Sequence, residues 1–193
     1  MPKIYSEEKK KEIREQLMAT GLELIKYNGI KRMSIEELTK RVGIAQGTFY
    51  NFFNSKEMLV YELANAYHER LDQKTEEIIK SNGFLDREDL RELYYNMILK
   101  DEDNVYRFLK NDDMQALITR LPKDCLLKIS DIKVEIEKNL RYVNGKKEKC
   151  DLNAVINWIQ VMNLTVENKD ILEESGIEKI INKMIENMLD EIF

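Results

Sequence analysis

The run Gly43-Ile44-Ala45-Gln46-Gly47-Thr48-Phe49-Tyr50-Asn51-Phe52-Phe53-Asn54-Ser55-Lys56-Glu57 constrains the fold more than any other stretch of this 193-residue chain. A glycine turn opens it. A short helix follows, with polar Gln46, Thr48 and Asn51 on one face and aromatics on the other. Asn54-Ser55-Lys56-Glu57 then caps the start of a further helix. A helix this short is not stable alone, so neighbours have to bury its aromatic face. With the amphipathic segment 34–42 ahead of it, the layout is a helix-turn-helix, whose second helix enters the DNA major groove.

The rest of the chain also reads as helix. Ser6 is a candidate N-cap for 7–27, where Ile13, Leu17 and Leu24, flanked by Met18, Leu22 and Ile25, recur at helical spacing. Asn28-Gly29 stops that segment. Ser34 and Glu37 form a capping box, and the helix they open buries Ile35, Leu38 and Val42 before Gly43. The third helix spans 45–52 and buries Ile44, Phe49 and Phe52 or Phe53. A long fourth helix buries Leu59, Leu63, Ala66, Tyr67 and Leu71. Asn82-Gly83, Leu121-Pro122, Asn144-Gly145 and Ser175-Gly176 punctuate the remainder. They leave helices over 87–100, 112–119, 123–143, 152–167 and 177–193, with a short one through Phe108. No strand-like alternation or repeat stands out. The chain is expected to be all-α, with about nine helices: a three-helix head over 1–54 and a larger helical body over 55–193.

Charge divides along the same line. Residues 1–60 hold 11 Lys and Arg against 8 Asp and Glu, whereas the remainder holds 20 against 28. A basic end on an acidic body suits an N-terminal module that meets phosphate. Cys125 and Cys150 lack metal-ligand spacing and are expected to be reduced thiols in a cytoplasmic protein. The charged N-terminus does not read as a signal peptide, and no apolar run approaches the ~18 residues of a membrane span. His68 is the only histidine. Without a partner histidine, a phosphate-binding glycine loop or a nucleophile elbow, no catalytic residue, metal site or cofactor is expected.

The spaced pattern Leu22-Glu23-Leu24-Ile25, Gly29, Ser34-Ile35, Leu38, Gly43-Ile44, Gly47-Thr48-Phe49-Tyr50, Phe53 and Ser55-Lys56-Glu57 resembles the TetR family of bacterial transcriptional regulators. The match spans about 12–60, and beyond it the body resembles the family only in length and helicity. The resemblance implies a three-helix DNA-binding head, a connecting fourth helix and a ligand-binding body. It also implies a homodimer formed by the last two helices, a palindromic double-stranded operator, and release by a small-molecule effector. Four positions depart from the pattern. Gly21 and Thr39 stand where alanine is common, Met33 replaces a threonine, and Ala45 replaces a capping serine worth ~1 kcal/mol of helix stability.

In the head, Gln46 and Asn51 can bond adenine N6 and N7, and the Thr48 methyl can pack on a thymine methyl. Gly47 lets the backbone approach DNA closely. The resemblance places Thr48, Tyr50 and Lys56 on DNA, the last two on phosphates, and Ser34 is counted with them. Lys31 and Arg32 are further candidates for phosphate. The plain alternative is that Gln46, Thr48 and Asn51 are merely solvated and Tyr50 packed.

In the body, Ile177, Ile181, Met184, Ile185 and Met188 on the last helix form an apolar stripe, as do Val155, Ile159 and Met162 on 152–167. Ordinary intrachain packing or, as the resemblance implies, a dimer interface would each use them. An effector pocket is expected among Tyr94, Tyr95, Met97, Phe108, Met114, Tyr142, Trp158 and Met162, unless these are plain core. Three uses compete: a ligand-released repressor, a DNA-binding architectural or partner-dependent protein without an effector, and a small helical enzyme or carrier. The last is disfavoured by the missing catalytic groups.

Overall fold

Several helix starts in this chain follow side chains that accept a backbone hydrogen bond. In a computed structural model describing residues 5–109, 111–125 and 129–193, Ser6 Oγ accepts from the Lys9 N–H at 3.2 Å and opens α1, Glu7–Arg32. Ser34 accepts from Glu37 at 3.4 Å and opens α2, Ile35–Val42. Gly43, in the left-handed region at φ 78°, ends α2. After α3, Gln46–Phe49, Ser55 accepts from Met58 at 3.2 Å at the start of α4, Lys56–Asn82. Asp86 and Asp89 exchange backbone bonds in a capping box at α5, Arg87–Tyr95. The remaining α-helices are α6, Asn111–Arg120, α7, Ile129–Leu140, α8, Leu152–Glu167, and α9, Glu174–Ile192. A π-helical turn, Asn96–Lys100, extends α5. Among the described residues the only strand-like pairing is an isolated bridge between Leu85 and Val143, so the fold is all-α.

The differences from expectation are local. α1 runs to Arg32, but Gly29, at φ 69° and ψ 170°, breaks it where a stop is expected, leaving one further turn. α3 is four residues long, and hydrogen-bonded turns carry the chain on to Phe53. Lys123–Cys125 is a 3-10 turn separate from α7, and 126–128 of the expected helix 123–143 lie outside the described residues. α9 starts at Glu174, taking Ser175 and Gly176 into its first turn, where the Gly176 N–H donates to Glu173 O at 2.9 Å.

The described residues group into two units. One takes Met1–Tyr67 and Phe108–Leu126, the other His68–Arg107 and Leu127–Phe193. In the first, Ile13, Leu17, Leu24 and Ile25 of α1, Leu38 of α2, Phe49, Phe53, and Leu59 and Val60 of α4 are buried. A Cβ built on Gly21 would lie 2.7 Å from Leu59 Cδ2. Glycine there lets α1 and α4 approach more closely than alanine would. Thr39 is buried, and its hydroxyl donates to Ile35 O at 2.8 Å, so no polar atom is stranded. Met33 is also buried, a core side chain where the family has a threonine.

The second unit closes around Ile98, Ile136, Leu140, Val155, Ile156, Met162, Ile181, Ile185, Met188 and Leu189. Arg87 reaches Glu186 and Asp190 at 2.8 Å each, tying α5 to α9. Five residues expected at a dimer interface, Val155, Met162, Ile181, Ile185 and Met188, are 0% exposed. Each is already covered by its own chain. Ile159, Ile177 and Met184 are half-buried against the same core.

α6 is held in the first unit by charge. Arg120 reaches Glu57 at 2.9 Å, and the Glu57 side chain is only 5% exposed. Burial pushes that carboxyl up, but its backbone hydrogen bond, Arg120 and Ser55 outweigh burial and hold it below the ordinary glutamate value. The group therefore stabilises fully above that ordinary value and loses its contribution as pH falls through the lowered one. Arg120→Ala should cost about 1–3 kcal/mol at neutral pH by stranding the carboxylate. Urea titrations across pH should show the deficit shrinking as Glu57 protonates in acid; a deficit independent of pH would contradict the assignment.

Candidate nucleic-acid interface

α3 is positioned by its aromatic face. Phe49 is 0% exposed and Phe53 3% exposed, with ring centroids 5.7 Å apart. The Arg14 guanidinium lies 4.9 Å over the Phe53 ring, fastening α1 to the same cluster. Tyr50 stands edge-on to Phe49, with centroids 5.4 Å apart, yet keeps 52% of its surface in solvent. Phe53 rather than Phe52 completes the core, and Phe52 is half-buried.

The opposite face is open. Gln46, Gly47 and Asn51 are exposed and Thr48 half-buried. A Cβ at Gly47 would meet nothing within 4 Å, so no protein contact requires glycine there. Ala45 makes no side-chain cap, as its residue type dictates. Ahead of α3, Gly43 turns the chain, and the Ile44 N–H donates back to Thr39 O at 3.0 Å. Ser34 is exposed, but its hydroxyl is used in capping α2. Arg41 is paired with Glu37 at 2.7 Å. The expected face therefore comes together as a surface of Gln46, Gly47, Thr48, Tyr50 and Asn51.

Lys56, at the start of α4, is half-buried. Its ammonium donates to Ile30 O at 2.8 Å, Lys31 O at 3.3 Å and Met33 O at 3.4 Å. These are carbonyls at the end of α1. Sequence reasoning missed this role. The only signal for it was a lysine at a helix start, which equally suits a phosphate.

The residues expected to line a pocket do not share one unit. Phe108 and Met114 group with the first, the other six with the second. Met162 is core, and Tyr94, Tyr95, Met97 and Trp158 pack against that core. Burial, with a smaller effect from Cys150, pushes the Tyr94 hydroxyl up to about 12. Tyr142 is 46% exposed and edges a cleft of about 220 Å³ between α4 and α7, lined also by Asp72, Thr75, Glu76, Ile79, Lys80, Lys138 and Asn139. Burial and then Glu135 raise the Asp72 carboxyl above its ordinary value. His68, half-buried, has Nε2 3.2 Å from the Tyr106 hydroxyl, and burial lowers its pKa. No group of three His, Cys, Asp or Glu suited to a metal occurs among the described residues. No helix among them is long and apolar enough to cross a membrane.

Residues 17–63 match the family model described as bacterial regulatory proteins, tetR family. The match takes in the later part of α1, all of α2 and α3, and the start of α4. The HTH-type transcriptional regulator YdgC of Bacillus subtilis is 27% identical over 130 residues, 67% of this chain and 64% of that one. The HTH-type transcriptional repressor NemR of Escherichia coli K12 is 42% identical over 65 residues, 31% of this chain and 32% of that protein. These matches span less than two thirds of either relative's length. Two solved structures share the fold at 19% identity. The reduced form of E. coli NemR aligns with a TM-score of 0.60, covering 94% of this chain and 97% of that one. A chain from work on the control of antibiotic production by a bacterial hormone aligns at 0.71, covering 97% and 99%. The chain thus matches the family model over its head and these solved structures over nearly its whole length by fold.

Gly47→Ala should leave thermal stability unchanged or slightly raised, since alanine favours helix by up to ~1 kcal/mol. It should weaken binding to duplex DNA in a titration if the backbone approaches the groove there. Unchanged binding would remove Gly47 from the contact surface.

Proposed function

We propose that the chain is a DNA-binding transcriptional regulator, a repressor rather than an enzyme, acting in the cytoplasm on a palindromic operator as a homodimer. One observation carries the reading: α3 buries Phe49 completely while turning Gln46, Gly47, Tyr50 and Asn51 to solvent. Gln46 and Asn51 read adenine edges, Thr48 packs on thymine, and Tyr50 and the start of α2 at Ser34 meet the backbone. The functional division places the head at 1–54 and the body at 55–193. Tyr50→Ala should weaken operator and scrambled DNA alike, whereas Gln46→Ala or Asn51→Ala should cost about 1–3 kcal/mol on the preferred site only. Selection from random duplexes supplies that site. Equal losses on both DNAs at Gln46 and Asn51 would remove them from base reading.

Two heads suit two half-sites one DNA turn apart, about 34–36 Å. Val161 and Leu164 on α8 and Ile180 on α9 are 43%, 52% and 45% exposed, an apolar face on which a second copy can seat. Leu164→Glu should shift sedimentation toward monomer and lower operator affinity; an unchanged dimer would place the interface elsewhere.

A small-molecule effector would act by favouring a body conformation in which the two heads no longer match that spacing. The cleft beside Asp72 and Tyr142 is small for such a ligand, and Lys80 and Lys138 balance Asp72 and Glu76 in its lining. The packing of Tyr94, Trp158 and Met162 into core supports a second reading, a DNA-binding protein without an effector. Operator release by a compound that also raises the melting temperature separates the two.

A further inference from the structure

The end of α5 changes its hydrogen-bond register. Asn96–Lys100 is a π-helical turn, a form that is rare and occurs mostly at functional sites. The Asp101 N–H donates to Asn96 O, five residues back, at 2.8 Å. In an α-helix it would donate to Met97 O, four residues back. Met97 O is instead taken at 2.8 Å by the side-chain amide of Asn104, a residue only 4% exposed. Asn104 Oδ1 accepts the Tyr106 N–H at 3.1 Å, so both ends of this buried amide are used. Asp101 is also the residue by which this stretch holds α4. Its carboxylate reaches Arg70 at 2.8 Å and Lys74 at 3.8 Å, and Asp103 pairs with the same Arg70. Tyr106 adds a hydroxyl 3.2 Å from His68 Nε2, again on α4.

We propose that 96–107 is a two-register latch on α4, with Asn104 as its catch. Two donors compete for one carbonyl, Met97 O. In the π register Asn104 holds it, and Asp101 grips Arg70 and Lys74. In the α register the Asp101 N–H moves onto Met97 O and displaces the Asn104 amide. The moving donor and the gripping carboxylate belong to one residue, so the shift draws the carboxylate off α4. Backbone bonding hardly separates the registers, because the Asp101 N–H has a carbonyl in either. What favours the π register is side-chain chemistry: leaving it strands a buried amide and parts an ion pair. Met97 also packs against the body core, so a change in that packing reaches the contested carbonyl directly. Anything that binds one register more tightly than the other shifts the population between them.

The first measurement, on the full chain, is the NMR coupling across the hydrogen bond of the Asp101 amide, which names its acceptor carbonyl. The acceptor should be Asn96 in the parent. It should become Met97 in Asn104→Asp, which keeps the size and loses the donor, and in Asn104→Ala, which adds no charge. Met97 in the parent, or Asn96 in both variants, overturns the latch. The second measurement couples register to grip. Arg70→Gln should lower the urea midpoint of the parent, and that of Asn104→Asp by much less, because there the grip is already released. Equal drops overturn the coupling. Operator titration then reads what the latch controls, since α4 is the helix that follows α3. Asn104→Asp and Arg70→Gln should move operator affinity in the same direction, by about threefold or more. Opposite directions, or no change, overturn its regulatory use. That last arm alone rests on the DNA-binding reading. A parent that bound no operator would sink that reading, and the first two measurements would still judge the latch.

Discussion

The burial of Phe49 is the contact on which the functional face depends. α3 has four residues, too few for its own backbone bonds to hold it. Its orientation comes from one ring wedged among Phe53, Tyr50 and the helices around them. Full burial of a phenylalanine contributes about 1.5–3 kcal/mol, more than any polar group on the opposite face gains by itself in water. The economy is that the exposed face of α3 need make no contribution to stability. Gln46, Gly47 and Asn51 make up surface whose chemistry is free to suit a base sequence, because the fold asks nothing of it.

The head was largely legible in the sequence because its signals are local. Ser6, Ser34 and Ser55 cap the helices they precede, Gly43 turns where a left-handed residue is needed, and the aromatic spacing of 49 and 53 marks the buried side. Gly29 was legible as a break, although one more helical turn follows it. The grouping of 108–126 with the head was not legible. It rests on Asp113 meeting the Lys31 N–H and on Arg120 meeting Glu57, contacts between residues far apart in sequence with no periodic signature.

The body shows why an apolar stripe is an incomplete signal. The spacing of Ile177, Ile181, Met184, Ile185 and Met188 states that one side of α9 is covered, but not by what. Within the chain, α5 and α8 already cover most of it. The residues left outside, Val161, Leu164 and Ile180, are fewer and less regular, and composition alone would pass over them. Lys56 teaches the same lesson in polar chemistry. Its donors suit a phosphate oxygen and a peptide carbonyl equally well, and the nearness of the α1 terminus is not written in the residues around it.

The Lys31–Asp113 bond also bears on how the chain is made. Its partners are 82 residues apart. At ~5–20 residues per second, a ribosome takes roughly 4–16 s to travel from one to the other. From the completion of α3 at Phe49 until Asp113 is made, the nascent helices have every residue of the helix-turn-helix and no carboxylate on the Lys31 N–H. A head released early would lack the hydrogen bond from Lys31 to Asp113, which forms only after more than half of the protein has been synthesised.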